Sequence, residues 1–470
     1  MNALQLSTSD FRTLAARVSG MAADYLAGLE KQRTFPQVSG EASLSAFGAA
    51  LPEQGLGPAA LDALFDVLYF SRPPSPRFFG YVHGSGEPVA AIADLLTSVL
   101  NQNVTAWRSA PAAVALERHL VGALAAALGC RGYLGSFCGG GSMANLMALA
   151  MAREARLPAN ACGARPGVVY ASSEIHMSIP KAMALLGLGR ENLRLIPTDE
   201  GFRMSVAHLR KAIAADRAAG RRPLAVVATA GTVNTGSIDP LADIASLCGE
   251  HGLWMHVDGA YGALAALAVP ERFTGLNAAD SLSLDPHKWL YQPLDCGVLL
   301  FRDAAAARAA FSYTGDYAKP LAEDPVEGFA FFDESLELSR RFRALKLWLS
   351  LRYHGLQAFR GAMHADLRHA QLLAELVAGS PQLELEAPVA LSAVCFRYRR
   401  PEGATPDADR LNAAILKRVI ERAHVYLSNA TLRGRFVLRA CFVNHRTSES
   451  DVAQIVPEVL AAADEVLAAR

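Results

Sequence analysis

The sequence predicts an α/β protein with a mostly parallel sheet, and three observations carry that prediction. From about residue 91 to residue 355, short apolar runs alternate with stretches of helical periodicity, the order of a βαβ chain. The runs are continuously apolar rather than alternating, as strands covered on both faces by crossover helices are. At 470 residues, 51% hydrophobic and 19% charged, the chain can bury a large core and divides into more than one domain.

The elements follow in chain order. Residues 1–90 carry helical patterns broken by Pro36, Pro52, Pro73, Pro74 and Pro76, a helical N-terminal segment. In the central block, 91–355, strands are predicted at 167–171, 193–196, 224–228, 253–257, 281–284 and 297–301. Helices are predicted between several of them, at 179–186, 206–219 and 241–250. Residues 356–470 mix helices (365–377, 411–423) with strands (383–386, 394–398, 436–442) and read as a smaller α+β domain. The stretch 399–406, with two prolines and a glycine, is a loop.

Composition excludes several functions. The 45 basic and 45 acidic residues cancel, so there is no electrostatic case for nucleic acid or an anionic membrane as main partner. Cys130, Cys138, Cys162, Cys248, Cys296, Cys395 and Cys441 are scattered, with no Cys-x-x-Cys pair and no histidine cluster at ligand spacing. Neither a metal site nor a disulfide framework is expected, and the thiols read as small buried hydrophobes. No run of about 18 apolar residues spans a membrane. The first ten residues lack the basic start and apolar core of a secretory signal, so a cytoplasmic location is expected.

Seven lysines stand against thirty-eight arginines, and one of the seven, Lys288, falls between the predicted strands 281–284 and 297–301 in Asp285-Pro286-His287-Lys288-Trp289. A lysine amine can attack a carbonyl to form a Schiff base, as with pyridoxal phosphate, and arginine cannot. Upstream, Gly139-Gly140-Gly141-Ser142-Met143-Ala144-Asn145 runs into a helical pattern. Two readings fit it: a phosphate cradle of free N–H groups at a helix start, with Ser142 capping and donating, or an ordinary glycine turn with a serine cap. Asp258 ends the strand 253–257 and is followed by the small residues Gly259 and Ala260. It either partners a pyridinium N–H at the carboxyl edge of the sheet or caps a helix. His176 lies just past the strand 167–171, where it could stack on a ring or move a proton, or be structural.

In order and spacing, Gly139 to Leu146, His176 with Lys181-Ala182, Ala228-Thr229-Ala230-Gly231-Thr232, His256 to Tyr261 and Asp285 to Trp289 resemble the PLP-dependent group II amino-acid decarboxylases, closest in pattern to the aromatic-L-amino-acid decarboxylases. The resemblance runs from about Pro76 to Arg439. It implies PLP fold type I, aspartate-aminotransferase-like, and a homodimer with the active site at the interface and the N-terminal segment wrapped over the partner. It implies that Lys288 holds pyridoxal 5'-phosphate, with His287, Gly141 and Ser142 on the phosphate. Asp258 would keep the pyridine nitrogen protonated, His176 and Ala260 would flank the ring, and Thr232 would lie near it. Tyr317, in the polar stretch after the last central strand, would protonate the carbon left when carbon dioxide departs, and Tyr313 is its rival. Tyrosine there favours plain decarboxylation over aldehyde formation.

For the substrate, the resemblance points to the segments 79–84 and 101–111, where Tyr81, His83 and Trp107 offer an aromatic wall suited to an aromatic L-amino acid. Arg108 either binds an acidic side chain, as a glutamate or aspartate decarboxylase requires, or is an ordinary surface arginine. Arg340, Arg341 and Arg343 read as a solvated helix face. Two departures from the family pattern stand out: Asp285, where animal members carry asparagine, and Met143, where glutamate is usual. A PLP aminotransferase, carbon–carbon lyase or aldehyde synthase of the same fold, and a non-catalytic PLP-binding protein, are the other readings.

Overall fold

The computed structural model describes residues 4–48, 50–313, 324–399 and 407–469. Its larger sheet has strands β1 (Leu134–Cys138), β2 (Val168–Ser172), β3 (Leu193–Ile196), β4 (Pro223–Thr229), β5 (Trp254–Asp258), β6 (Ser281–Leu284) and β7 (Gly297–Phe301), in the order β1-β7-β6-β5-β4-β2-β3. Neighbours from β6 through β5, β4 and β2 to β3 pair in parallel, whereas β7 is antiparallel to both β6 and β1. Every residue of β2, β5, β6 and β7 is buried, which is why these strands read as unbroken apolar runs.

Strand β1 was not among the predicted strands. Leu134 is exposed and Gly135 and Ser136 interrupt its apolar pattern. A Cβ on Gly135 would come within 2.2 Å of the Leu299 carbonyl oxygen, so glycine is what lets this strand close on β7.

The smaller sheet is antiparallel, with β8 (Leu383–Leu385), β9 (Ala393–Tyr398), β10 (Ser428–Leu432) and β11 (Arg435–Cys441) in the order β10-β11-β9-β8. It covers its own core with the helices Ala408–Arg422 and Ile455–Ala468. The helix Ala344–Ala378 bends at Gly355, whose φ of 74° and ψ of 153° are not helical. At the other end of the chain, the helices Thr8–Gly28, Gly40–Ala46 and Leu64–Phe70 bury none of their own residues.

The arginines after residue 339 are not a solvated face. Arg340 is 2% exposed and is paired with the fully buried Glu117, donating also to the Val104 and Phe137 carbonyls. Arg343 is 7% exposed between Asp295 and Glu337. Only Arg341 of the three keeps substantial exposure. A buried guanidinium of this kind persists because its donors are met and a carboxylate balances its charge.

Candidate active site

Parallel register places the ends of β2, β4, β5 and β6 along one edge of the sheet, with Thr229 opposite Asp258 and Asp258 opposite Ser283. The residues following each strand therefore meet in one crevice, the place where open α/β sheets take ligands. A cavity opens there, and Gly141, Ser142, His176, Asp258, Ala260, His287 and Lys288 all line it.

Lys288 sits on a single helical turn, Pro286–Trp289, between β6 and β7. Its Nζ lies 2.9 Å from Asp285 Oδ2, and the same oxygen is 3.6 Å from His287 Nε2. Burial holds His287 below the usual histidine range, against the pull of the Asp285 charge. Its Nδ1 stands 2.8 Å from the Cys296 carbonyl oxygen, which fixes the ring against β7.

Asp258 ends β5, 5% exposed. Its Oδ1 accepts from Ser283 Oγ at 3.1 Å and from the Ala260 N–H at 3.2 Å, and its Oδ2 from Asn145 Nδ2 at 2.9 Å. It anchors a turn, yet it also faces the cavity as a fully oriented carboxylate, so it does more than cap. His176 follows β2, and its Nδ1 accepts the Ser178 N–H at 3.2 Å. Burial lowers its pKa, the nearby Asp258 charge opposing.

The glycine loop forms a cradle. Gly140 adopts φ 133°, and a Cβ there would reach 3.2 Å from the His287 imidazole. A Cβ on Gly141 would come within 2.7 Å of Ala260 Cβ. Helix Gly141–Arg156 has no side-chain cap, so its first N–H groups are free to meet an anion. Ser142 is therefore not the cap: Gly140 holds that position, and Ser142 lies exposed in the first turn. Thr229 Oγ1 and Asp285 Oδ1 are buried polar atoms without a hydrogen-bond partner among the described residues. Free helix N–H groups, an amine, a buried carboxylate and a cavity lined by His176 and Ala260 fit a phosphorylated pyridine aldehyde.

Other expected residues lie elsewhere. Thr232 is fully buried and engages Thr235 Oγ1 at 2.9 Å and the Ser237 N–H at 3.1 Å; its neighbours Gly231 and Val233 line the cavity instead. Tyr81, His83 and Trp107 do not line it either. Tyr81 is 57% exposed and meets the Tyr426 hydroxyl at 3.1 Å, while Trp107 lines a separate hollow with Arg118 and Phe329. His83 is half-buried beside the Lys288 turn: a Cβ on Gly84 would lie 2.3 Å from the His287 carbonyl oxygen and 2.7 Å from that of Lys288. Arg108 is exposed. Tyr317 lies outside the described residues, and Tyr313 is 95% exposed. The unanticipated lining residues include Asn145, which was within the glycine motif, and Glu174, whose carboxylate accepts from Asn234 Nδ2 at 3.0 Å and whose pKa burial raises.

A lysine, a carboxylate and an imidazole converging at the carboxyl edge of this sheet define the site of a PLP-dependent enzyme. The chain belongs to the PLP-dependent amino-acid decarboxylases: residues 67–399 match the pyridoxal-dependent decarboxylase conserved domain. It is 35% identical to an aromatic-L-amino-acid decarboxylase of Bacillus atrophaeus, over 98% of this chain and 97% of that protein. It is 33% identical to a tyrosine decarboxylase of Oryza sativa subsp. japonica, over 100% of this chain and 93% of that protein. Among solved structures, Oryza sativa TDC with PLP and tryptamine superposes with a TM-score of 0.92 at 28% identity, covering 98% of this chain and 99% of that one.

Proposed function

We propose that the enzyme decarboxylates an aromatic L-amino acid to its amine, with Lys288 holding the cofactor, Gly141, Ser142 and His287 binding its phosphate, Asp258 meeting its ring nitrogen, and His176 and Ala260 flanking its faces. PLP, when bound, supplies the electron sink that lets the carboxylate leave as carbon dioxide. Three donors hold the Asp258 carboxyl group at one fixed place. His176 lines the cavity with its Nδ1 held by Ser178, and Tyr317 delivers the proton to the substrate carbon. Thr232 supports the loop that carries Gly231 and Val233.

The observation that carries the substrate class is the charge of the cavity wall. Among the described residues no arginine lines it, and the carboxylate of Glu174 does. An acidic side chain would face a negative neighbour rather than the bidentate clamp it needs. The relatives just described, decarboxylases of aromatic amino acids, support the same reading. Purified enzyme supplied with PLP should release carbon dioxide and amine from tryptophan, tyrosine, phenylalanine or their hydroxylated forms. Release from glutamate or aspartate alone, or a keto acid product, would overturn the proposal.

The enzyme acts as a cytoplasmic homodimer in this reading. Three N-terminal helices none of whose residues is fully buried in their own chain support it, since their exposed Phe11, Val18, Leu44 and Phe65 need a cover. His83 then stands beside its own chain's Lys288 turn, while Tyr81 and Trp107, which do not line their own chain's cavity, are offered to the partner's site. In this reading the chain divides into residues 1–90, a wrapping segment, 91–355, built on the large sheet, and 356–470, built on the small sheet, with the helices Pro88–Leu100 and Ala344–Ala378 crossing the two boundaries. Among the described residues no helix is long and apolar enough to cross a membrane.

A further inference from the structure

Along the cavity wall runs a line of side-chain hydrogen bonds that links Trp254 to His176. Trp254 Nε1 donates to Ser281 Oγ at 2.9 Å, and Ser281 Oγ lies 2.9 Å from His256 Nδ1. His256 Nε2 lies 2.9 Å from Asn145 Oδ1, and Asn145 Nδ2 lies 2.9 Å from both Asp258 Oδ2 and Ser178 Oγ. Ser178 Oγ in turn stands 2.9 Å from His176 Nδ1. Asn145, Ser178, His256 and Ser281 are all 3% exposed or less.

The proton positions follow from the inventory of donors and acceptors. A carboxylate only accepts, so the amide face that Asn145 turns to Asp258 is its NH2 group. Asn145 Oδ1 is then left to accept, and His256 Nε2 must carry the hydrogen. Burial holds His256 neutral, its pKa lowered to about 4. With the hydrogen on Nε2, its Nδ1 accepts from the Ser281 hydroxyl at 2.9 Å rather than donating to the Ser281 carbonyl oxygen at 3.2 Å, and the hydroxyl oxygen takes the Trp254 N–H. On the other arm, Ser178 Oγ takes the second Asn145 hydrogen and turns its own toward His176 Nδ1. That nitrogen also receives the Ser178 backbone N–H, so a neutral His176 carries its one hydrogen on Nε2.

We propose that Asn145 is a positioning residue: it joins Asp258 to His176 through Ser178, is itself oriented by His256, and thereby sets the carboxylate and the imidazole tautomer together. The inference rests on the reading of Asp258 and His176 as cofactor-facing groups. Asn145 lines the cavity, and in this role it acts through Asp258 and His176. Its amide is the one group in the line with two hydrogens to give, one to each of the two.

The test is the isosteric substitution Asn145→Asp in the full-length enzyme, which keeps the shape and removes both donors. PLP affinity, measured by titrating cofactor-free protein, should fall at least tenfold, and the visible absorption band of the bound cofactor should shift. A folded variant with wild-type affinity and band would overturn the proposal. Should Asn145→Asp fail to fold, Ser178→Ala decides: it cuts only the arm to His176, so kcat should fall at least fivefold with PLP affinity kept within twofold, and a wild-type kcat would overturn the proposal. Asp258→Asn separates the two levels. If it leaves PLP affinity and turnover unchanged, the reading of the site fails; if it impairs them while Asn145→Asp does not, only the relay fails.

Discussion

Lys288 Nζ and Asp285 Oδ2 lie 2.9 Å apart across one helical turn, an ion pair built into the cofactor-binding turn itself. Asp285 is 1% exposed, its Oδ1 has no partner among the described residues, and a Cβ on Gly141 would lie 3.0 Å from its Oδ2. The carboxylate therefore presses on the loop proposed to receive the phosphate. Two like charges about 5 Å apart repel by roughly 3 kcal/mol at an effective dielectric constant near 20, before Lys288 and His287 offset part of it. Asp285→Asn should accordingly tighten PLP binding, about three- to tenfold in a titration of cofactor-free protein. Weaker binding would mean that its hold on Lys288 outweighs its repulsion.

How much of this was legible in the sequence depended on whether a residue's partners are near or far along the chain. Strands β2 and β4 to β7 announce themselves because burial on both faces leaves no polar phase. Strand β10 does not: Ser428, Ala430 and Leu432 are buried while Asn429 and Thr431 are exposed, and nothing apolar marks the alternation. Lys288, Asp258 and His176 could be picked out because each follows a strand. Arg340 could not, since Glu117 is 223 positions away, and Asn145 looked like any polar residue in a helix until the fold brought Ser178 and Asp258 to it from 33 and 113 positions away. Charge balance inside a core is a tertiary property that no local pattern carries.

Lys288→Arg separates the ion pair from the chemistry. A guanidinium can still pair with Asp285, so the fold and its melting temperature should stay near the wild type, within a few degrees. It cannot form the covalent link to an aldehyde. Amine production and the visible absorption band should vanish together, and a variant that keeps both would remove Lys288 from its role.

Tyr317 and Tyr313 make opposite predictions. With Tyr317 as proton donor, Tyr317→Phe should cut amine formation by about 100-fold, the lower end of what a positioned general acid contributes, while substrate still binds. Aldehyde in the presence of oxygen is the expected side product. Tyr313→Phe should leave amine yield within about twofold. Chromatography of the products from both variants settles which hydroxyl is used, and the reverse pattern would move the role to Tyr313.

Gly297 opens β7 opposite Cys138 and lies against the glycine loop. A Cβ there would stand 2.3 Å from Gly140 Cα and 2.5 Å from its nitrogen, backbone that cannot swing aside. Overpacking of this kind costs about 3 kcal/mol. Gly297→Ala should therefore lower the melting temperature by several degrees and weaken PLP binding in step, because the strain is placed where the loop meets the strand. A melting temperature equal to that of the wild type would show that the loop yields freely.

Asp366 carries the pH dependence most open to measurement. It lies on the helix Ala344–Ala378, 1% exposed, and its Oδ2 accepts from Trp289 Nε1 at 2.9 Å and from the Tyr291 hydroxyl at 2.7 Å. It thereby ties the kinked helix to the residues that follow Lys288. Burial pushes its pKa up to about 7, the two hydrogen bonds opposing. A carboxyl whose folded pKa lies above its unfolded value adds stability that is fully present below the unfolded value, near 4, and is lost as pH rises through the folded one. Asp366→Asn removes the titration and keeps an oxygen to accept. Wild type should therefore gain on the variant by about 2 kcal/mol between pH 8 and pH 5. Thermal unfolding of both proteins at the two pH values reads this directly, since titrations common to both cancel in the comparison. A difference in melting temperature that is the same at pH 5 and pH 8 would show that Asp366 keeps its charge in the fold, with its two donors compensating the burial in full.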